Sequence, residues 1–110
     1  MDKQYEALFT PWKIGNVEIK NRIVMCPMGG TSLFGWFELG GCHFDKEAAK
    51  LFLERANNNV GLIIPGIAPL RDTFWGKWLW QNPKMFEELK VFMDEIHKTG
   101  AKLFIQLTAG

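Results

Sequence analysis

The thiol of Cys26 stands at the end of an apolar run, "RIVMCPM", directly before Pro27, Met28 and the glycines of "MGG". A nucleophilic thiol needs a neighbouring base or a helix N-terminus to lower its pKa, and the nearest histidine in sequence, His43, falls in a glycine-rich stretch. Cys26 is therefore expected to be a buried strand-end residue, because unpaired cysteine is among the most buried residue types. Cys42 and His43 offer adjacent metal-binding atoms but no further ligand at a familiar spacing, so no metal site is expected. His97 follows the apolar stripe of a helical segment near its C-terminus, where the helix dipole favours a partly positive imidazole.

Two other positions carry more information. Gly66, in "VGLIIPGIAP", comes straight after a second apolar run, where a glycine serves either a tight turn or the close approach of a flat ligand to the backbone. Gln106 interrupts a third apolar run, "LFIQL", and a buried amide brings donors and an acceptor that must be satisfied. A ligand or a structural hydrogen bond would serve; a polar residue at the C-terminal end of a parallel strand favours the ligand. Trp75, Trp78 and Trp80 could stack on a planar ligand or pack over a rim. Arg22, just before the first run, could pair with a carboxylate far from the site edge. Neither G-x-G-x-x-G nor the phosphate-loop motif occurs, so the usual dinucleotide and nucleotide fingerprints are absent.

Bulk composition narrows the classes. The formal net charge of +1 gives no field that would favour nucleic acid or an anionic membrane. The cysteines lack CxxC spacing, which suits reduced thiols in the cytoplasm rather than a disulfide framework. The N-terminus has no signal-peptide core, and no apolar run approaches the roughly 20 residues that span a bilayer. Nine Phe, five Trp and one Tyr are many for 110 residues, and several fall in loops, where more chain or a ligand must cover them.

The elements that position these residues follow from local pattern. Gly15-Asn16 between short β-prone runs predicts a hairpin over 12–20, both residues tolerating positive φ. Apolar runs without polar alternation predict parallel strands buried on both faces at 22–28, 60–66 and 102–107. Residues 29–43 hold five glycines and no periodicity, which predicts a long loop. A helix follows, with Asp45 as N-cap and Ala49, Phe52, Leu53 and Ala56 on one stripe, ended by three asparagines. A second has Asn82 as N-cap, Pro83 first, a stripe of Leu89, Phe92, Met93 and Ile96, and Gly100 as its stop. The order is βαβαβ, an α/β fold with its site on the loops after the strands. A TIM (β/α)8 barrel needs about 250 residues, so this chain is expected to supply a bottom hairpin and the first three βα units of an incomplete barrel.

The blocks "YEALFTPWKIGNVEIKNRIVMCPMGG", "VGLIIPGIAP" and "GAKLFIQLTAG" resemble, in order, the N-terminal part of the old yellow enzyme family, nearest its NADH:flavin oxidoreductase branch of 2-enoate and 2,4-dienoyl-CoA reductases. The resemblance implies a barrel closed below by the hairpin and an FMN across the strand ends. By position it implies that Cys26, Pro27 and Met28 line the flavin, that Gly66 contacts it, and that the Gln106 amide bonds its pyrimidine edge. It implies an ene-reductase that takes NAD(P)H and a small activated alkene, with no nucleic-acid or membrane partner. It is compatible with a homo-oligomer, and longer members of the branch add FAD and a 4Fe-4S cluster. The catalytic residues of the family lie further along, so the chain alone is expected to be inactive. Gly29 stands where many relatives have Thr or Cys, and "LTAG" where many have an aromatic residue or His, so neither flavin tuning nor substrate carries over. A stand-alone α/β interaction module and a different barrel enzyme are the competing readings.

Overall fold

The computed structural model describes residues 3–28, 33–34, 40–41, 44–69, 76–77 and 83–108. A short 3-10 helix, Lys3–Phe9, leads into an antiparallel pair, β1 (Trp12–Ile14) and β2 (Val17–Ile19). Ile14 opposes Val17, so Gly15 and Asn16 alone make the turn. Only Gly15 has positive φ, at 58°. That is the pattern of a type II′ turn, which uses the positive-φ tolerance of the glycine alone.

Then come β3 (Val24–Met25), β4 (Gly40–Gly41), α1 (Lys46–Asn57), β5 (Leu62–Ile63), β6 (Ile67–Pro69), β7 (Gly76–Lys77), α2 (Pro83–Lys98), β8 (Lys102–Leu103) and β9 (Gln106–Thr108). Strands β3, β5 and β8 form one parallel sheet in that order, with α1 and α2 as the crossovers. The strands are shorter than the apolar runs implied. Pro27 cannot donate to a ladder, and the second and third runs are each broken, at 64–66 and 104–105, before resuming as the parallel pair β6 and β9. Burial on both faces holds only for central β5; β3 and β8 are half-buried, because each has a strand neighbour on one side among the described residues.

Helix α1 starts where Asp45 accepts from the N–H groups of Glu47 and Ala48, at 3.0 and 3.1 Å. Those bonds satisfy donors that have no partner within the helix. It ends with Asn59 in the left-handed region and the Val60 N–H donating 3.2 Å back to the Arg55 carbonyl, a Schellman closure. Ala49, Phe52 and Ala56 are buried and Leu53 half-buried. On α2, Met85, Phe92 and Ile96 are buried, Leu89 and Met93 are half-buried, and His97 is exposed; Asn82 lies outside the described residues. The ion pairs Lys50–Glu47 and Lys98–Glu95 are exposed and add little. The helices are held instead by one core of Phe52, Ile63, Met85, Phe92, Ile96 and Ala101, onto which Phe44 tilts against Phe92 at 5.6 Å. Leu33 and Phe34, expected as loop, are fully buried in that same core.

The hairpin is latched beneath the sheet by three side chains. Trp12 Nε1 donates 2.6 Å to the Asn21 carbonyl. Buried Asn21 donates from Nδ2 to the Asn59 carbonyl at 2.7 Å and accepts at Oδ1 from the Ile23 N–H at 3.0 Å. Lys20 Nζ donates 2.8 Å to the Thr99 carbonyl just past the end of α2, where a cation is favoured by the helix dipole. Both helix-to-strand turns are thus tied to the hairpin. Among the described residues Arg22 pairs with no carboxylate: it donates to Thr10 Oγ1 at 2.9 Å and to the Pro11 carbonyl at 3.3 Å.

Candidate functional site

Parallel pairing puts the C-terminal ends of β3, β5 and β8 on one edge, which is where parallel α/β sheets carry ligands. Met25, Ile63 and Leu103 share one level of the sheet. The next level continues in register, with Ile64 N–H donating 3.0 Å to the Met25 carbonyl and Phe104 N–H donating 3.0 Å to the Ile63 carbonyl. Beyond it the register changes. Between Ile63↔Leu103 and Ile67↔Gln106, one strand spends three residues, 64–66, and its neighbour two, 104–105.

That extra residue is absorbed by a tight turn. The Gly66 N–H donates 2.9 Å to the Ile64 carbonyl, a three-residue turn centred on Pro65, whose ring favours the required φ. Gly66 is buried and has φ 77°, a conformation that side chains other than glycine's make costly. The turn explains Gly66 geometrically, and it works as a bulge that re-aims the chain after it.

The sequence-derived site residues fall along this edge. Cys26 is exposed and its thiol is free, which corrects the expectation that it is buried: it lies past Met25, the last paired residue of β3 among the described residues. Pro27 is half-buried and Met28 is 51% exposed. Gln106 opens β9 opposite Ile67, with its side chain exposed and without a hydrogen bond among the described residues. The expected burial of that amide is therefore not found, and among the described residues no structural hydrogen bond accounts for it. Ile105 and Leu107 beside it are 41% and 55% exposed. Met28, Ile105 and Leu107 are thus exposed near the carboxyl ends of the strands, and Gln106, whose side chain has no hydrogen bond among the described residues, brings a donor and an acceptor to the same end of the sheet.

Gly29, Cys42, His43, Trp75, Trp78 and Trp80 lie outside the described residues. Between them in sequence, β4 pairs in parallel with β7, Gly40 opposite Gly76 and Gly41 opposite Lys77. No group of three or more His, Cys, Asp or Glu close enough to hold a metal occurs among the described residues, and no helix there is long and apolar enough to cross a membrane. Sequence reasoning missed Leu33 and Phe34, whose signal was an apolar pair inside a glycine-rich segment, and Asn21, which offered none beyond its polar type.

These features define an α/β protein built on a parallel sheet, with the candidate site residues at the carboxyl ends of its strands. Residues 7–110 match the model of the NADH:flavin oxidoreductase / NADH oxidase family, and the chain belongs to that family of FMN oxidoreductases. It is 37% identical to a cinnamate reductase from Clostridium sporogenes across all of this chain and 17% of that protein. It is 34% identical to an NADPH dehydrogenase from Bacillus velezensis, across 91% of this chain and 29% of that one. Its fold is similar to the crystal structure of Old Yellow Enzyme from a Pichia species, with a TM-score of 0.70 and 24% identity over 94% of this chain and 26% of that one. The chain thus spans between 17% and 29% of the length of the curated relatives named here.

Proposed function

We propose that this chain forms the flavin-seating part of an FMN-dependent ene-reductase. The observation that carries the proposal is the placing of Cys26, Pro27 and Met28, the Gly66 turn and Gln106 at the carboxyl ends of the strands, with the Gln106 side chain exposed and without a hydrogen bond among the described residues. These residues fit a flavin: the backbone and apolar side chains of Cys26, Pro27 and Met28 suit one side of a planar ring. Gln106 offers both a donor and an acceptor to a polar rim, and Gly66 permits close backbone approach. When bound, FMN supplies the hydride chemistry, and the protein supplies position and electrostatics.

The net reaction takes a hydride equivalent from NAD(P)H to the β-carbon of an alkene polarised by a carbonyl or carboxylate, with a proton added at the α-carbon. Similarity to a cinnamate reductase across the whole chain supports an α,β-unsaturated carboxylate. In this reading the 110-residue chain by itself is inactive, since β8 has a single strand neighbour among the described residues. The test is to express the complete protein, record its visible absorbance, reduce it without oxygen and add cinnamate or a simple enone. The flavin bands should be present, bleach on reduction and return with the alkene. A colourless protein that takes up no FMN overturns the proposal, and a flavoprotein that no activated alkene reoxidises overturns its ene-reductase part.

A further inference from the structure

Leu33 and Phe34 belong to the segment between β3 and α1, yet both are fully buried in the core shared by the helices and β5. Their backbone links two features of the site edge. The Asp45 N–H donates 2.9 Å to the Leu33 carbonyl, and the Leu33 N–H donates 3.2 Å to the Pro65 carbonyl. Asp45 is the N-cap that starts α1, and Pro65 is the centre of the turn that sets Gly66 at φ 77°. A chain of main-chain hydrogen bonds therefore runs from the start of the helix through Leu33 to the bulge beside Gln106.

We propose that Leu33–Phe34 is the positioning element of the Gly66 turn: its burial anchors the relay from Asp45 to Pro65, and the relay holds the bulge in the shape that receives the flavin. This rests on the proposed function and adds residues that touch no ligand in that reading. The physical argument is that Pro65 has no N–H and a three-residue turn makes a single internal bond, so an external donor on the Pro65 carbonyl restrains a turn that is otherwise weakly held. Burial of the adjacent phenyl ring keeps that donor in place.

The test compares Phe34→Ala with Phe34→Leu, and Asp45→Ala with Asp45→Asn, in the complete protein, with Asn21→Ala at the opposite end of the sheet as the control. Hydrogen exchange is read on peptides covering 33–34 and 64–66 in the flavin-free protein, and FMN affinity and the flavin absorption band in the loaded protein. Phe34→Ala, which removes the anchor, and Asp45→Ala, which keeps the N–H of residue 45 but uncaps α1 and so loosens the backbone that presents it, should speed exchange at both segments together, weaken FMN binding about ten-fold and shift the band. Phe34→Leu should keep most of the anchor, and Asp45→Asn should restore wild-type behaviour, because asparagine caps as well as aspartate. Asn21→Ala should leave FMN affinity and band unchanged. If Phe34→Ala does not fold, the Asp45 pair decides. Exchange that rises at 33–34 without 64–66, or a flavin equally perturbed by Asn21→Ala, overturns the relay. Wild-type protein that binds no FMN overturns the functional reading and the flavin role of the relay, whereas FMN binding untouched by either alanine variant overturns the relay alone.

Discussion

Adding one methyl group at Gly61 should disrupt the latch under the sheet, and the cost should vanish in large part when Asn21 is shortened first. A Cβ at Gly61 would overlap Asn21 Oδ1 and lie 2.9 Å from Asn21 Cγ and 3.2 Å from the Asn21 carbonyl oxygen. Asn21 cannot simply turn away. Its amide holds the Asn59 carbonyl and the Ile23 N–H at 2.7 and 3.0 Å, and the residue is only 4% exposed. Expelling the amide leaves two backbone groups without partners, at about 1–3 kcal/mol each before water or local shifts recover part of it. Gly61→Ala should therefore cost about 2–4 kcal/mol, and Asn21→Ala a similar amount for the same lost bonds. The double variant should cost less than the sum of the two by at least about 1 kcal/mol, since the methyl group then enters space that Oδ1 has left. Only the 3.2 Å approach to the Asn21 carbonyl remains to be relieved. The assay is urea unfolding of the four proteins of the cycle, followed by tryptophan fluorescence and by circular dichroism, with a common slope required before midpoints are compared. Additive costs within about 0.3–0.5 kcal/mol would refute the reasoning, because independent sites behave that way.

Gly66→Ala forces a side chain into a φ of 77°, so stability should fall by about 1–2 kcal/mol, and FMN content should fall further than that loss explains; thermal unfolding with and without FMN separates the two. Gln106→Ala should leave the unfolding midpoint of the flavin-free protein unchanged, because the side chain is exposed and has no hydrogen bond among the described residues. The same variant should weaken FMN binding, measured by fluorescence titration. Lys20→Met keeps the stem that covers Gly100 but removes the donor to the Thr99 carbonyl. It should lower stability by about 0.5–1.5 kcal/mol, read as a fall in melting temperature.

Much of the scaffold was legible because it depends on short-range rules. Asp45 could be assigned as a cap from its type and position, and the α1 stripe from its period, since both express the geometry of a single helix. The alternation of apolar runs with helices was enough to imply a parallel sheet, and the sheet order agrees. Cys26 was misjudged for a related reason. Burial is a property of what lies across from a residue, and nothing in "RIVMCPM" states that the described pairing of the strand with β5 ends at Met25.

The start of α1 at Asp45, the apolar stripes of both helices and the parallel run of the strands were all legible in the amino-acid sequence. Those features follow from local backbone chemistry and hydrophobic period, which act over a few residues. Only the tertiary structure decided that one strand carries an extra residue at 64–66 and its neighbour does not, because register is a relation between two strands. It also decided that Leu33 and Phe34 belong to the core, and that Asn21 joins the hairpin to the turn after α1 across a sequence separation of 38 residues. Contacts of that span depend on how every intervening element packs, so no pattern within the segments themselves could have announced them.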